Sequence, residues 1–212
     1  MIKTIIFDYD GVIVDSFPTT YAIYKVICSK LNKRLPSTIE GFKEIYTGVF
    51  TKLYVDLGIS KDESEAAENI YREEVKKQNP VVFPGIKDVF EELTKKYNLV
   101  ILSSNYTFNI KQKLKQNDLE NYFSEIIAKT DLIVDSFNKT QPLIDFIEKN
   151  NLKKEEVIMV GDRDVDYMHA ENAGIRSIIV EYGWGHTDKV PTPNPKIEKP
   201  IDLLKAIELV DH

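Results

Sequence analysis

The sequence predicts an α/β protein: a doubly wound parallel-sheet core, Rossmann-like, carrying a small inserted helical domain. Three observations predict it. Short runs of Ile, Val and Leu alternate with longer helical patterns along most of the chain. Those runs are almost continuously apolar, as strands covered on both faces of a parallel sheet must be. Between the first run and the second, residues 17–79 show helical patterns and no strand pattern.

The strands are expected at 3–8 (KTIIFD), 99–104 (LVILSS), 124–129 (SEIIAK), 156–162 (EVIMVGD) and 176–181 (RSIIVE). Helical periodicity fills the gaps at 85–97, 107–117, 139–150 and 164–173, with a last helix at 201–210. Strand and helix in alternation imply crossover connections and a sheet clad on both sides. In the stretch that breaks this rhythm, helices are expected at 17–32, 38–57 and 62–78, punctuated at Pro36-Ser37-Thr38 and Gly58–Lys61. Residues 16–80 therefore form an inserted helical domain, and residues 1–15 and 81–212 the core. VDSFP (14–18) and NPVVFPG (79–85) are the expected linkers, and the proline-rich 189–200 an ordered surface loop.

Composition limits the function. The 212 residues carry a net charge of -6, are 42% apolar and 29% charged. Scattered lysines in an acidic chain argue against a nucleic-acid partner, which needs clustered cations. No stretch approaches the roughly 20 apolar residues of a membrane span. The first residues lead directly into a strand pattern, so no signal peptide is expected. One cysteine, Cys28, cannot form an internal disulfide and lies on a helical stripe with Tyr21, Tyr24 and Ile27, so it is read as a packing residue. A cytoplasmic protein with no obligate protein partner is the expectation.

In open parallel sheets ligands bind beyond the carboxyl ends of the strands. The first strand ends in Asp8-Tyr9-Asp10, the second in Ser103-Ser104-Asn105, the fourth in Gly161-Asp162-Arg163-Asp164-Val165-Asp166. Lys139 opens the helix before that fourth strand. A single Asp after a strand is usually a helix cap. Asp8 and Asp10 together exceed what a cap requires, and the period-2 repeat points them to one face. Three carboxylates about 4 Å apart cost about 4 kcal/mol per pair at an effective dielectric near 20. A cation among them removes that cost, and an all-oxygen donor set selects Mg²⁺.

DYDGVIVDS (8–16), ILSSN (101–105), NKTQP (138–142) and GDRDVDYMHAENAG (161–174) resemble, in order, the four motifs of the haloacid dehalogenase superfamily. The resemblance implies Asp8 as the nucleophile that accepts a phosphoryl group and Asp10 as the general acid and base. It implies Ser103 as a phosphate ligand, with Ser104 and Asn105 beside the substrate, and Lys139 as the neutralising cation. The Mg²⁺ ligands would be Asp8, the Asp10 carbonyl and Asp162, while Asp166 would hold Lys139 or a metal-bound water. Thr140 replaces a proline common in the third motif, so Lys129 stands as an alternative to Lys139. His169 and His186 are read as surface or packing residues.

Asp10 argues against dehalogenation, which needs no proton donor. Thr20 stands where sugar phosphomutases of this superfamily carry a histidine. Lys25 and Lys30 are better explained as solvated helix positions than as Schiff-base lysines. The resemblance thus implies a phosphatase of the phosphoglycolate-phosphatase-like, helical-cap kind, acting on a small phosphorylated metabolite, with cap residues Lys43, Thr47, Lys52 and Arg72 as specificity candidates. Another phosphotransferase (a mutase or pyrophosphatase) and a catalytically idle binding protein are the alternatives.

Overall fold

The computed structural model describes residues 1–46, 50–129 and 138–211. The chain begins with β1 (Thr4–Phe7) and β2 (Val14–Asp15), followed by α1 (Phe17–Lys30), α2 (Ile39–Ile45), α3 (Phe50–Asp56) and α4 (Ser64–Lys77). Then come β3 (Val81–Val82), α5 (Ile86–Leu93), β4 (Asn98–Tyr106), α6 (Thr107–Gln116), β5 (Glu125–Lys129) and α7 (Thr140–Lys149). The last elements are β6 (Val157–Gly161), α8 (Asp164–Ala173), β7 (Arg176–Val180), β8 (Lys196–Ile197) and α9 (Asp202–Asp211). They fall into two compact units, one of residues 1–15, 81–129 and 138–211, the other of residues 16–80.

The first unit is built on a six-stranded sheet of order β5-β4-β1-β6-β7-β8 in which every pairing is parallel. The chain adds strands outward from β1 to β5, then returns to the other side of β1 with β6. The order reverses between β1 and β6, and ligands of such sheets bind at the carboxyl ends beside that reversal. Both strands are buried throughout, with sequences TIIF and VIMVG that have no polar position facing solvent. Ile5, Phe7, Ile158 and Val160 share one buried cluster with Phe90 of α5 and Ile207 of α9. Helix α8 packs against β6, β7 and α7.

Several elements differ from expectation. The segments read as linkers include β2 and β3, which pair antiparallel as Val14↔Val82 and Asp15↔Val81. The proline-rich loop contains β8. Its carbonyls serve the edge of β7, where Ile179 N–H donates to Pro195 O (2.9 Å) and Glu181 N–H to Ile197 O (2.7 Å). Proline is tolerated there because it lacks only a donor and an edge strand needs none on its outer side. Helix α5 stops at Leu93, not 97. The Thr94 hydroxyl donates to Phe90 O at 2.9 Å, competing with helix continuation. The helix expected over 38–57 is two helices, with residues 47–49 outside the described residues.

In the second unit, α1 packs on α4 and α2 around aromatic rings. Phe42, fully buried, has centroids 5.3–5.6 Å from Phe17, Tyr21, Tyr24 and Tyr46. Cys28 is buried on α1, and that burial pushes its thiol up. Among the described residues no helix is long and apolar enough to cross a membrane. Because Phe42 is the ring its neighbours share, Phe42→Ala should destabilise this unit by about 3–5 kcal/mol. Urea unfolding followed by near-UV circular dichroism would check this.

Candidate active site

Asp8 leaves the end of β1, and Asp162 leaves the end of the adjacent β6. The register Phe7↔Val160 and the bond from Asp8 N–H to Val160 O (2.8 Å) set the two acids side by side. Lys139 starts α7, where its carbonyl accepts the first-turn N–H of Leu143 at 3.0 Å. Asp166 lies in the first turn of α8, and its Oδ2 accepts the Arg163 N–H at 3.2 Å. That bond leaves Oδ1 free to meet Lys139. The ammonium of Lys139 sits 2.7 Å from Asp8 Oδ2 and 2.8 Å from Asp166 Oδ1. None of these four residues is more than 3% exposed.

Burial without water makes the charge balance severe. Burial opposes the charge on Lys139, but Asp166 and Asp8 outweigh it and hold the ammonium above its usual range. Asp166 likewise resists burial, because Lys139 and Arg163 keep its carboxyl below the usual range. The other two acids fare worse. Burial, against the pull of Lys139, pushes Asp8 up to about 6, and burial pushes Asp162 up to about 8 despite Arg163. Asp162 Oδ1 has no hydrogen-bond partner among the described residues, and the Arg163 Nε lies 3.9 Å away.

Carboxylate oxygens of Asp8, Asp162 and Asp166 all lie within 4.8 Å of one another. One orphaned buried oxygen, two acids that cannot ionise cheaply and an all-oxygen donor set fit a hard divalent cation.

Glycine makes the cluster possible. Gly185 N–H donates to Asp162 Oδ2 at 2.9 Å, and a Cβ there would sit 2.1 Å from Arg163 Cγ and 2.4 Å from Asp162 O. Gly11 has φ +82°, and its Cβ would fall 2.1 Å from Asp162 Oδ2. The role of Gly185 escaped sequence reading, although two glycines within five residues of the end of β7 are a signal of close backbone approach. Arg163 was missed as well, hidden between two acids that drew attention.

The remaining candidates separate. Asp10 does not join the cluster with its side chain, contrary to the argument that one cation holds Asp8 and Asp10 together. β1 ends at Phe7, so the period-2 projection no longer applies at Asp10. Its carboxylate accepts from Asn105 Nδ2, at 3.1 Å to Oδ2 and 3.4 Å to Oδ1. Ser103 is fully buried within β4, three residues before its end, and its Oγ accepts the Asn105 N–H at 3.1 Å; Ser104 is half-buried.

Lys129 ends the edge strand β5, two strands from β1, with its ammonium 5.9 Å from the Tyr106 ring centroid. It is Lys139 that meets Asp8. Lys43 and Arg72, both half-buried, belong to the helical unit; Lys52 pairs with Asp56 at 2.5 Å, and Thr47 lies outside the described residues. His169 Nδ1 lies 3.0 Å from Thr140 Oγ1, and His186 is exposed.

The sequence matches the haloacid dehalogenase-like hydrolase family over residues 5–180. The chain belongs to that family. Among its relatives, a phosphoglycolate phosphatase of Vibrio parahaemolyticus is 26% identical over 92% of this chain and 90% of its own. One of Synechococcus elongatus is 26% identical over 97% of each. A crystal structure of a predicted phosphatase from Clostridium acetobutylicum shares the fold, with TM-score 0.86, 23% identity and 99% of each chain covered. In this hydrolase of the haloacid dehalogenase-like family, then, the acidic cluster lies where the fold places its ligand crevice.

The glycine contact yields a test. A side chain at 185 must displace backbone and withdraw the N–H from Asp162, so Gly185→Ala should weaken divalent-cation binding about 10–100-fold. Calorimetric titration of the metal-free protein would read this, with circular dichroism checking that the fold persists.

Proposed function

We propose that the protein is a Mg²⁺-dependent phosphomonoester hydrolase acting on a small phosphorylated metabolite through an aspartyl-phosphate on Asp8. The observation that carries the reading is Lys139, buried and bridging Asp8 and Asp166 at 2.7 and 2.8 Å beside an Asp162 whose Oδ1 accepts no hydrogen bond among the described residues. The phosphatase names of relatives aligned over nine-tenths of the chain support the same reading.

Asp8 attacks phosphorus through a carboxylate oxygen; the bond from phosphorus to the ester oxygen breaks, and Asp10 protonates that oxygen. Asp10, now ionised, takes a proton from water, whose oxygen attacks phosphorus, releasing inorganic phosphate and restoring Asp8. Lys139 lowers the repulsion between an anionic nucleophile and an anionic ester, and Ser103 is proposed to donate to a phosphoryl oxygen. Asp8, Asp162, Asp166 and the Asp10 carbonyl would hold Mg²⁺, which supplies further neutralisation of phosphoryl charge. The helical unit of residues 16–80 is proposed as the specificity-bearing cap, with Lys43 and Arg72 as its candidate anion-recognising residues.

p-Nitrophenyl phosphate should be hydrolysed with Mg²⁺ and not after EDTA; metal-independent or absent turnover refutes the proposal. Asp8→Asn should reduce turnover by at least about a thousandfold with the fold retained. Proton and metal compete for Asp162, whose carboxyl burial raises to about 8. Between its ordinary value and about 8 the metal-free fold keeps a proton on Asp162 that the unfolded chain has released, so stability falls across that range, and bound Mg²⁺ should stabilise most above it. Melting temperatures with and without Mg²⁺ at pH 6 and 8.5 should therefore differ more at 8.5.

A further inference from the structure

We infer that Asn105 is a positioning residue for Asp10, and that Asn109 holds Asn105 in the orientation this requires. The inference rests on the proposed role of Asp10 as acid and base. It replaces the substrate-binding role that sequence resemblance implies for Asn105.

An asparagine amide can usually be turned either way, but here its orientation is dictated. Asn105 Oδ1 lies 2.7 Å from Tyr106 N, and a backbone N–H can only donate, so the oxygen must face it. A second donor reaches the same oxygen from Asn109 Nδ2 at 3.1 Å, one turn along α6. The backbone N–H of Asn105 is itself tied to Ser103 Oγ at 3.1 Å. With its oxygen doubly held, the amide has one direction left for its NH₂ group. That direction is Asp10, at 3.1 and 3.4 Å from the two carboxylate oxygens.

Asn109 is only 3% exposed, and its own Oδ1 has no hydrogen-bond partner among the described residues. Leaving a buried acceptor unmade is unfavourable, so stability alone does not account for an asparagine there. Its donated bond to Asn105 does. The relay matters because Asp10 lies beyond β1, held in the backbone by a single bridge to Val14, and its side chain is only half-buried. A general acid must aim at the ester oxygen. Asn105 restrains the carboxylate itself, through both of its oxygens.

The test compares p-nitrophenyl phosphate, whose leaving oxygen needs little protonation, with phenyl phosphate, whose leaving oxygen needs more. For Asn105→Ala, kcat/KM for phenyl phosphate should fall at least tenfold further than for p-nitrophenyl phosphate, with KM little changed. Asn109→Ala should show a smaller loss with the same leaving-group dependence, and it serves if Asn105→Ala does not fold. In an Asp10→Ala background neither substitution should lower p-nitrophenyl phosphate turnover further. Equal losses on both substrates with raised KM would assign Asn105 to substrate binding and overturn the inference, as would full additivity with Asp10→Ala. Failure of the parent reading is separable: wild-type protein would then lack Mg²⁺-dependent turnover of either ester.

Discussion

Three carboxylates and one ammonium, closed off from water at the carboxyl edge of a parallel sheet, are the constraint that organises this protein. Lys139 satisfies Asp166 and touches Asp8, but Asp162 is left with a distant Arg163. In water such a shortage of positive charge would cost little. At burial of this depth it raises the carboxyls of Asp8 and Asp162 instead. A fold that keeps such an arrangement is pre-organised for a divalent cation, and the haloacid dehalogenase-like family to which the chain belongs is one of hydrolases.

The cluster depends on how the sheet is wound. Because β1 and β6 are neighbours at the reversal of strand order, two acids more than 150 residues apart emerge beside one another. Helix starts supply the rest: Lys139 at α7 and Asp166 in the first turn of α8 both project to the same edge. Room for these side chains comes from glycine backbone that carries no Cβ. Gly11 and Gly185 approach Asp162 so closely that any Cβ would collide with it or with its neighbour Arg163. A peptide N–H at hydrogen-bond distance also orients the carboxylate without adding a charge.

Asp8 and Asp10, two residues apart, live in different surroundings. Asp8 belongs to a dry ionic cluster, whereas Asp10 is half-buried and tied to a neutral amide. Separate environments for paired carboxyls are the usual way one site obtains both a nucleophile and a proton carrier. The helical unit obeys a plainer logic, with a knot of aromatic rings around Phe42 forming its core.

The alternation of apolar runs with helical periodicity was enough to read the parallel α/β core and the identity of its main strands, because a strand covered on both faces has no freedom to be polar. The acids after β1 and β6 were legible for the same reason: charge abutting such a run marks a strand end. Short strands β2, β3 and β8 were not, since two residues carry no period and their pairing is decided by distant partners. Sequence favoured Lys139 from its motif and kept Lys129 as the fallback; the ion pair with Asp8 is what separates the two. It also placed the Asp10 side chain with Asp8, extending the strand pattern past Phe7, where β1 ends. Tertiary structure decided these points, and with them the grip of Gly185 on Asp162 and of Asn105 on Asp10. Each is a hydrogen bond or ion pair between groups whose separation in space depends on the winding of the sheet, and local residue preference carries no record of that distance.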